Sequence, residues 1–389
     1  MVTAQGTRPM AESSINKGPP SLYIYRLRKC KNAIQLVYGP TLRPLSGIPL
    51  FLMRYYTRKA ASNLTLSTPA TEIVVIRNED MLSQFMARAS CNDRIALRVK
   101  SFHVNFTATI TGLGLLRKCI LLLQNIEDLE LHLVKLSPSS WIHVLHRVRF
   151  KKLQFFSSNC PHDVLAPFLS AASTMRSLQL LVGCGSGQCH LEGRALPLLT
   201  DVTAGNACIT SVVDNNPVER VVIIDVGICD NLAFPFAIKS LSASTSTITT
   251  LHIDFDPDHR DILRQLHEVA PELTALKLVE RQCPASGRFV RRRRPWNDAF
   301  TWSIDLSCFT QLHRFLLRTP AALVNEADAE SKEKELLTVW TTKSARLDYV
   351  TLWYLADSTA DILRLWRRSF SRGWTVLAHA SSPSWDQFL

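Results

Sequence analysis

Apolar residues recur along this chain in one short pattern: an apolar residue, two mostly polar positions, a second apolar residue, a free position and a third apolar residue. Two complete copies lie twenty-five residues apart, at Ile248/Leu251/Ile253 and Leu273/Leu276/Leu278. Because side chains alternate along a strand, the last two apolar residues of each copy would face the same side. The pattern therefore predicts two copies of one short strand.

The segment between these two copies predicts a helix. Asp256 to Asp258 supply carboxylates that cap a helix start, and Pro271 ends the helix. Apolar residues follow one helical stripe at Ile262, Leu263, Leu266, Val269 and Ala270. A strand and a helix of this length cannot bury their apolar faces alone, so the unit requires stacked neighbours.

Further copies of the strand pattern precede and follow this unit. They are Val99/Phe102/Val104, Ile126/Leu129/Leu131, Phe150/Leu153/Phe155, Met175/Leu178/Leu180, Leu199/Val202/Ala204, Val218/Val221/Ile223, Leu312/Phe315/Leu317 and Leu347/Val350/Leu352. Four steps between successive middle residues are 24 or 25 residues, inside the period of about 20–29 residues of leucine-rich repeats. We therefore expect an α/β fold, an irregular leucine-rich-repeat solenoid (horseshoe) with a parallel concave sheet and outer helices.

The same reading divides the chain into a basic, partly disordered segment over residues 1–71 and a repeat domain over residues 72–389. The spacing predicts a first strand at Ile73–Ile76 and helices over Asp80–Ala89, Ser140–His146, His162–Ala172, Asn231–Leu241 and Ala327–Thr341. The step of 19 residues from Val202 to Val221 leaves room only for a loop or a single turn. A last helix, Thr359–Phe370, is expected to cap the end of the stack.

The formal net charge of +12 is unevenly distributed. Residues 1–71 contribute +9 and five arginines in residues 288–294 contribute +5, so the remaining chain is close to neutral. A repeat surface that followed nucleic-acid phosphates would carry basic residues along its repeats, so the repeats themselves are not expected to bind nucleic acid. Arg291, Arg292, Arg293 and Arg294 are expected on an exposed loop, where they match a nuclear-import run.

Cysteine content and hydropathy predict the cellular compartment and bear on membrane binding. Ten cysteines without an apolar signal segment predict a reducing compartment, cytoplasmic or nuclear. The Arg-rich N-terminal segment leaves a mitochondrial transit segment as an alternative. No apolar run approaches the roughly 18 residues of a membrane helix, so no membrane partner is expected.

One passage resembles a known family. The run IRNEDMLSQFMARASCNDRIALRVKSFHV, residues 76–104, resembles the passage that leads into the repeats of fungal F-box/leucine-rich-repeat proteins, and residues 196–204 and 217–223 resemble that family's repeats. The resemblance implies an F-box near the N-terminus that docks on the Skp adaptor of a ubiquitin ligase. The nearest match is Ile48-Pro49-Leu50, but Arg54 and Arg58 interrupt the helical pattern that should follow. The F-box is therefore not recognisable, and the Skp adaptor stays an open partner.

Three groups of residues suggest bound ligands but favour structural interpretations. Asp254, Asp256 and Asp258 alternate as calcium ligands do, but His259 and Gln265 replace the required Gly and Glu, which favours helix capping. Gly183, Gly185 and Gly187 form a turn that opens no helix, so they predict no nucleotide site.

The third group could be placed around a zinc ion, and consists of Cys184, Cys189 and His190 with Cys160 and His162 from one repeat earlier. The sequence spacing of these residues matches none of the ligand spacings that are typical of zinc sites. Cys160, Cys184, Cys208, Cys229 and Cys283 instead lie six to eight residues beyond the middle residue of successive strands, which favours a structural role as small apolar side chains. We predict no metal and no cofactor, and because no nucleophile–base arrangement is visible, no enzyme.

The predicted function is a protein-interaction scaffold, which the resemblance extends to a degenerate substrate-recognition subunit of a ubiquitin ligase. The alternative is a nuclear or nucleic-acid-associated factor that uses the basic segments. The partner is expected on the concave face, at the free position of each strand and in the more apolar row beside it. The residues assigned to it are Glu130, Gln154, Phe156, Gln179, Leu181, Thr203, Val222, His252 and Lys277.

Overall fold

The computed structural model describes most of the chain beyond residue 72. The described ranges are 73–134, 136–184, 189–224, 233–256, 259–281, 298–320, 328–344, 346–355, 361–369, 371 and 373–379. They all fall in one compact unit. The basic segment 1–71, Asp258, Cys229, Cys283 and Arg291–Arg294 lie outside the described residues, so what the sequence predicts for them stays a prediction. Within the described ranges, no helix is long and apolar enough to cross a membrane.

Thirteen strands in the described residues form a single sheet in which every strand pairs with its neighbours in the sequence. They are β1 (Ile73–Ile76), β2 (Ser101–Phe106), β3 (Asp128–Leu133), β4 (Phe155–Ser158), β5 (Ser177–Leu180), β6 (Asp201–Gly205), β7 (Arg220–Ile224), β8 (Thr250–Phe255), β9 (Ala275–Glu280), β10 (Arg314–Thr319), β11 (Tyr349–Leu355), β12 (Asp361–Ser369) and β13 (Gly373–His379). Strands β1 to β11 pair in parallel, and β12 and β13 continue the sheet in antiparallel pairing. The expected mixed α/β class is confirmed.

Helices in the described ranges connect most of the parallel strands. They are α1 (Glu79–Cys91), α2 (Asp93–Arg98), α3 (Ile110–Leu122), α4 (Pro138–Leu145), α5 (His162–Leu169), α6 (Asn206–Val213), α7 (Ala233–Ser240), α8 (Ile262–Val269), α9 (Ala299–Cys308) and α10 (Ala329–Thr341). Side chains at Asn78, Thr109, Ser137 and Asp298 accept hydrogen bonds from backbone N–H groups of the first turn, which fixes where α1, α3, α4 and α9 begin. The connection from β5 to β6 differs, because its described residues form turns and no helix.

The core lies between one face of the sheet and the helices. The middle residues of the strand pattern are in register across the sheet, as in the series Phe102, Leu129, Phe156 and Leu178, each of which is fully buried. Helix residues such as Leu165 and Leu266 belong to the same buried cluster. One row of large apolar side chains therefore runs across the parallel strands, and its burial supplies the main stabilising contribution.

The register of β4 corrects the pattern predicted there. Leu153 was expected in the middle position, but Phe156 pairs with Leu129 and occupies it. The third position is then Ser158, a buried hydroxyl that donates to Leu131 O at 3.1 Å and accepts from Cys160 N at 3.0 Å. Because both hydrogen-bonding roles are satisfied, a polar residue can occupy this core position, and the apolar pattern alone selected the wrong phase.

Two connections also differ from the prediction. The short step from Val202 to Val221 contains the eight-residue helix α6, which fits because it begins at the residue that follows β6. The expected capping helix Thr359–Phe370 is wrong, since its described residues form strand β12. Arg364 pairs across from Leu352 on the core-facing side of β12, where the buried Glu333 accepts its guanidinium hydrogen bond. Because Arg364 is charged at a core-facing position, the apolar–polar alternation of a strand is not visible in the sequence, and the remaining apolar residues have the spacing of one helix face.

Candidate functional site

The face of the sheet opposite the helices carries a continuous row of side chains at the free position of each strand. We call it the central row, and its members pair in register from β2 to β11: His103, Glu130, Ser157, Gln179, Thr203, Val222, His252, Lys277, Leu316 and Thr351. The row is mostly polar and carries both signs of charge.

The structure places most of the predicted partner-binding residues in or beside this row. Glu130, Gln179, Thr203, Val222, His252 and Lys277 are members of it. Leu181 follows β5 and donates its backbone N–H to Ser158 O at 2.9 Å. The register of β4 excludes two of the predicted residues from this row, because Gln154 precedes the strand and Phe156 is fully buried in the core. Ser157 stands in the row where Gln154 was expected.

Most polar members of the central row have little access to solvent. Glu130, Gln179, Thr203 and Lys277 each expose less than a tenth of their surface, although the partner-binding role predicted for them requires accessible side chains. Neighbouring strands lie about 4.8 Å apart, so side chains of one row crowd one another. Contacts within the row follow from this spacing. His103 Nδ1 lies 3.0 Å from Glu130 Oε1.

Acidic residues gather at the β2–β3 end of the face. Asp128 lies in the row beside the central one, with Oδ2 at 3.6 Å from His103 Nε2. Farther along β3, His132 Nε2 lies 3.0 Å from Ser157 Oγ. The His103 ring therefore lies between the carboxylates of Asp128 and Glu130.

Basic and aromatic residues gather at the opposite end, over β10 to β12. We call Arg314, Tyr349 and Arg367 the basic corner. Arg314 and Arg367 are exposed, and their guanidinium carbons lie 5.9 Å and 5.8 Å from the centre of the Tyr349 ring. Beside the corner, the Arg318 guanidinium stacks 3.6 Å from the centre of the Trp353 ring. Cation–π contacts of this kind hold the arginine side chains against the sheet.

His252, near the middle of the face, is held in its neutral form. Burial lowers its pKa well below the usual value, and the nearby positive charges of Lys277 and Arg318 lower the pKa further. Asp254 lies on the same strand with Oδ1 at 3.7 Å from His252 Nε2. Thr203, Val222 and His252, in the middle of the row, are therefore uncharged at neutral pH.

A second group of chemically active side chains lies away from this face. We call it the cysteine–histidine cluster: His162, Cys184, Cys189 and Cys208. Their four donor atoms, the histidine Nδ1 and three sulfurs, all lie within 4.8 Å of one another. From His162 Nδ1 the distances are 2.8 Å to Cys184 Sγ, 3.3 Å to Cys189 Sγ and 3.5 Å to Cys208 Sγ. All three cysteines are free thiols, and Cys184 alone is partly accessible.

The cluster draws on three consecutive connections of the sheet. His162 is the first residue of α5, Cys184 and Cys189 belong to the helix-free connection between β5 and β6, and Cys208 is the third residue of α6. Cys184 and Cys208 each follow the middle residue of their strand by six positions. Because the two cysteines hold equivalent positions after neighbouring strands, their sulfurs come close together.

Hydrogen bonds inside the cluster shift the pKa values of several of its side chains. Hydrogen bonds from Cys184 and Cys208 lower the pKa of Cys189 strongly, while the bonds of Cys208 to Cys184 and Cys189, together with burial, raise its own pKa. Burial lowers the pKa of His162, but its hydrogen bonds to Cys184 and Cys189 outweigh that effect and raise the pKa to about 9. The arrangement therefore favours one thiolate stabilised by its neighbours.

The zinc ligands that the sequence suggests are partly different. His190 is exposed and outside the cluster, and the Cys160 thiol lies against Pro161 O at 3.5 Å instead. In the sequence, Cys208 belongs to the cysteine recurrence, and no local spacing connects it to His162. The recurrence itself, two cysteines at equal phase one repeat apart, was the signal that could have completed the set.

Comparison with known protein families finds no matching family model, and no curated protein matches the chain.

Proposed function

We propose that this chain is a leucine-rich-repeat horseshoe that acts as a non-enzymatic protein-interaction scaffold, with its partner on the face that carries the central row. The supporting observation is the uninterrupted parallel order of β1 to β11, with one side chain from each strand in register along the face. Such an array offers a long, regular set of contact positions, as repeat proteins use for extended partners.

The charges of this face favour a protein partner over a nucleic acid. Asp128 and Glu130 lie at one end, whereas Arg314 and Arg367 are exposed at the other. A surface for phosphates would be basic throughout. Tyr, Trp and Arg are the residues most often found at the energetic centre of protein interfaces. Tyr349 belongs to the basic corner, and Trp353 and Arg318 lie beside it. We therefore place the partner's acidic residues against β10 to β12.

The ligase version of this proposal rests on the resemblance to fungal F-box/leucine-rich-repeat proteins. It requires the Skp adaptor to bind the chain outside the sheet face, while a substrate occupies the face. Co-purification with the Skp adaptor would support it, and a cytoplasmic or nuclear location is part of the same proposal. Without Skp binding, the scaffold role remains but its connection to a ubiquitin ligase fails.

The test compares partners captured by a face variant and by a matched control. The face variant combines Arg314→Glu and Arg367→Glu, both exposed at the basic corner. The control combines Arg94→Glu on α2 and Arg264→Glu on α8, which are exposed and change the net charge equally. Affinity purification with quantitative mass spectrometry is expected to show partners that wild type and control retain and that the face variant loses.

Circular dichroism of both variants checks that they keep the wild-type fold. A face variant that is folded and still captures every wild-type partner contradicts the assignment of the face. Salt-sensitive retention of the folded chain on nucleic acid, with no protein partner captured, favours the nucleic-acid-associated alternative.

A further inference from the structure

We propose that His162, Cys184, Cys189 and Cys208 bind one zinc ion, and that this metal site stabilises the helix-free connection between β5 and β6. The proposal concerns the cysteine–histidine cluster, which is separate from the sheet face of the proposed function. It stands or falls independently of any partner.

The donor geometry fits a closed structural zinc site. Zinc binds thiolate sulfur at about 2.3 Å and imidazole nitrogen at about 2.0–2.1 Å, so neighbouring donors of a tetrahedral site lie roughly 3.5–3.8 Å apart. The donor atoms of the cluster lie within 4.8 Å of one another, with nitrogen–sulfur distances of 2.8, 3.3 and 3.5 Å. Shifts well below an ångström for most of these atoms would bring them to the metal distances.

The number and type of donors also point to zinc. Three cysteines and one histidine form a complete four-ligand set, which is typical of structural zinc and leaves no position for a substrate. Four soft or imidazole donors without a carboxylate disfavour magnesium and calcium. A chance group of buried thiols would not be expected to direct three sulfurs at a single ring nitrogen.

The electrostatics at the two helix starts suit the charge of such a site. A zinc ion with three thiolates carries a net charge of −1, and the N-terminal ends of helices stabilise negative charge. His162 and Cys208 lie in the first turns of α5 and α6, so both eight-residue helices begin at the cluster. On binding, the thiol protons and any proton on Nδ1 are released to solvent.

The position of the cluster explains what the metal does for the fold. The described residues between β5 and β6 contain no helix, so none of them forms a helix that packs against the sheet; Leu191, Leu196 and Leu199 are the buried leucines there. Two of the four ligands lie in this connection and the other two lie in α5 and α6. A bound zinc ion would join the connection to both neighbouring repeats and replace the packing that a helix supplies elsewhere.

The experiment measures metal content in the full chain, purified under reducing conditions without chelators. Inductively coupled plasma mass spectrometry is expected to find about one zinc per chain. Cys189→Ser and Cys208→Ser are expected to reduce the zinc content to background, whereas Cys160→Ser, a buried cysteine beside the cluster but outside it, is expected to retain it. Replacing zinc by cobalt(II) is expected to give the sulfur-to-cobalt charge-transfer absorption of a tetrahedral thiolate site.

A further pair of variants separates metal binding from folding. His162→Cys keeps four zinc donors and is expected to retain the metal, while His162→Ala removes one donor and is expected to lose most of it. Reduced wild-type chain that contains no zinc and gives no cobalt absorption overturns the proposal. So does undiminished zinc in folded Cys189→Ser, or a disulfide between cluster cysteines in freshly prepared, alkylated protein.

Discussion

The indole nitrogen of Trp366 donates a hydrogen bond of 2.9 Å to Oε2 of Glu333, a carboxylate that is fully buried. The other carboxylate oxygen accepts hydrogen bonds from the Tyr354 hydroxyl and the Arg364 guanidinium. Burial and the bond to Glu333 raise the pKa of Tyr354, so its hydroxyl keeps its proton. Through this network α10 holds β11 and the first antiparallel strand, β12, in place.

We expect Glu333→Leu to reduce stability by about 3–5 kcal/mol, because Arg364 and the Tyr354 hydroxyl would lose their buried acceptor. Urea unfolding followed by circular dichroism measures the change. Glu335→Leu, at an exposed position of the same helix, is the control and should leave the unfolding midpoint almost unchanged. Equal midpoints for the two variants would contradict the role assigned to the network.

Adjacent phenylalanines test the register of β4. Phe156 is fully buried, and its ring centre lies 5.0 Å from that of Phe168, whereas Phe155 faces the opposite side and is partly exposed. Phe156→Ala is expected to cost about 3–5 kcal/mol through the cavity it leaves. Phe155→Ala should cost about 1 kcal/mol or less. Chemical denaturation of both variants checks this, and the reverse order of losses would refute the register.

Asn216 connects the helix-free connection to the end of α6. Its buried amide donates to Arg194 O at 3.0 Å and Val212 O at 2.8 Å, and its oxygen accepts from Leu196 N at 2.6 Å. Asn216→Ala is expected to destabilise the chain by about 3 kcal/mol, since each unsatisfied buried group costs roughly 1–3 kcal/mol. Thermal and urea unfolding measure the loss. Asn215→Gly is the control, because Asn215 is exposed with a φ of 59°, which glycine adopts freely.

His252 is expected to make stability depend on pH. Burial and the charges of Lys277 and Arg318 lower its folded-state pKa below 6.5, so below that pH the unfolded chain binds the proton more readily. The contribution of His252 to the free energy of unfolding is therefore fully present above the pKa that His252 has in the unfolded chain. It falls as the pH drops below that pKa, by up to about 1.4 kcal/mol per pH unit.

Unfolding free energies measured between about pH 7 and about pH 5 test this dependence. His252→Gln should flatten the curve, whereas replacement of the exposed His190 by Gln should leave it as in wild type. A curve that is unchanged in His252→Gln would show that other groups cause the dependence.

Local sequence patterns correctly predict the strands and helices whose apolar spacing and end signals lie within one continuous segment. Strand β1 was predicted with its observed ends, and α1 and α10 lie within one or two residues of theirs. The phase of most strands followed from the apolar triplets, because core positions such as Leu251 and Leu276 must be apolar to be buried. Ser158 shows the limit of this rule, since a hydroxyl with satisfied hydrogen bonds can take a core position.

The remaining features depend on residues that are distant in sequence. Strand β12 could not be recognised without Glu333, which neutralises Arg364 from a helix about thirty residues earlier. The cysteine–histidine cluster combines three connections, so no local spacing identifies it. The burial of the central row likewise follows from neighbouring strands and is invisible in any single strand.

The strand order has a consequence for how the chain folds during synthesis. Every strand from β1 to β12 pairs with the strand that follows it in the sequence, so no pairing must wait for a distant segment to be made. Each new strand and helix can add to the part of the sheet already outside the ribosome, where amino-terminal parts fold first. The described residues of the β5–β6 connection form no helix, so growth there adds a strand before any helix can cover it, and we expect translation intermediates that end there to be the ones most dependent on chaperones.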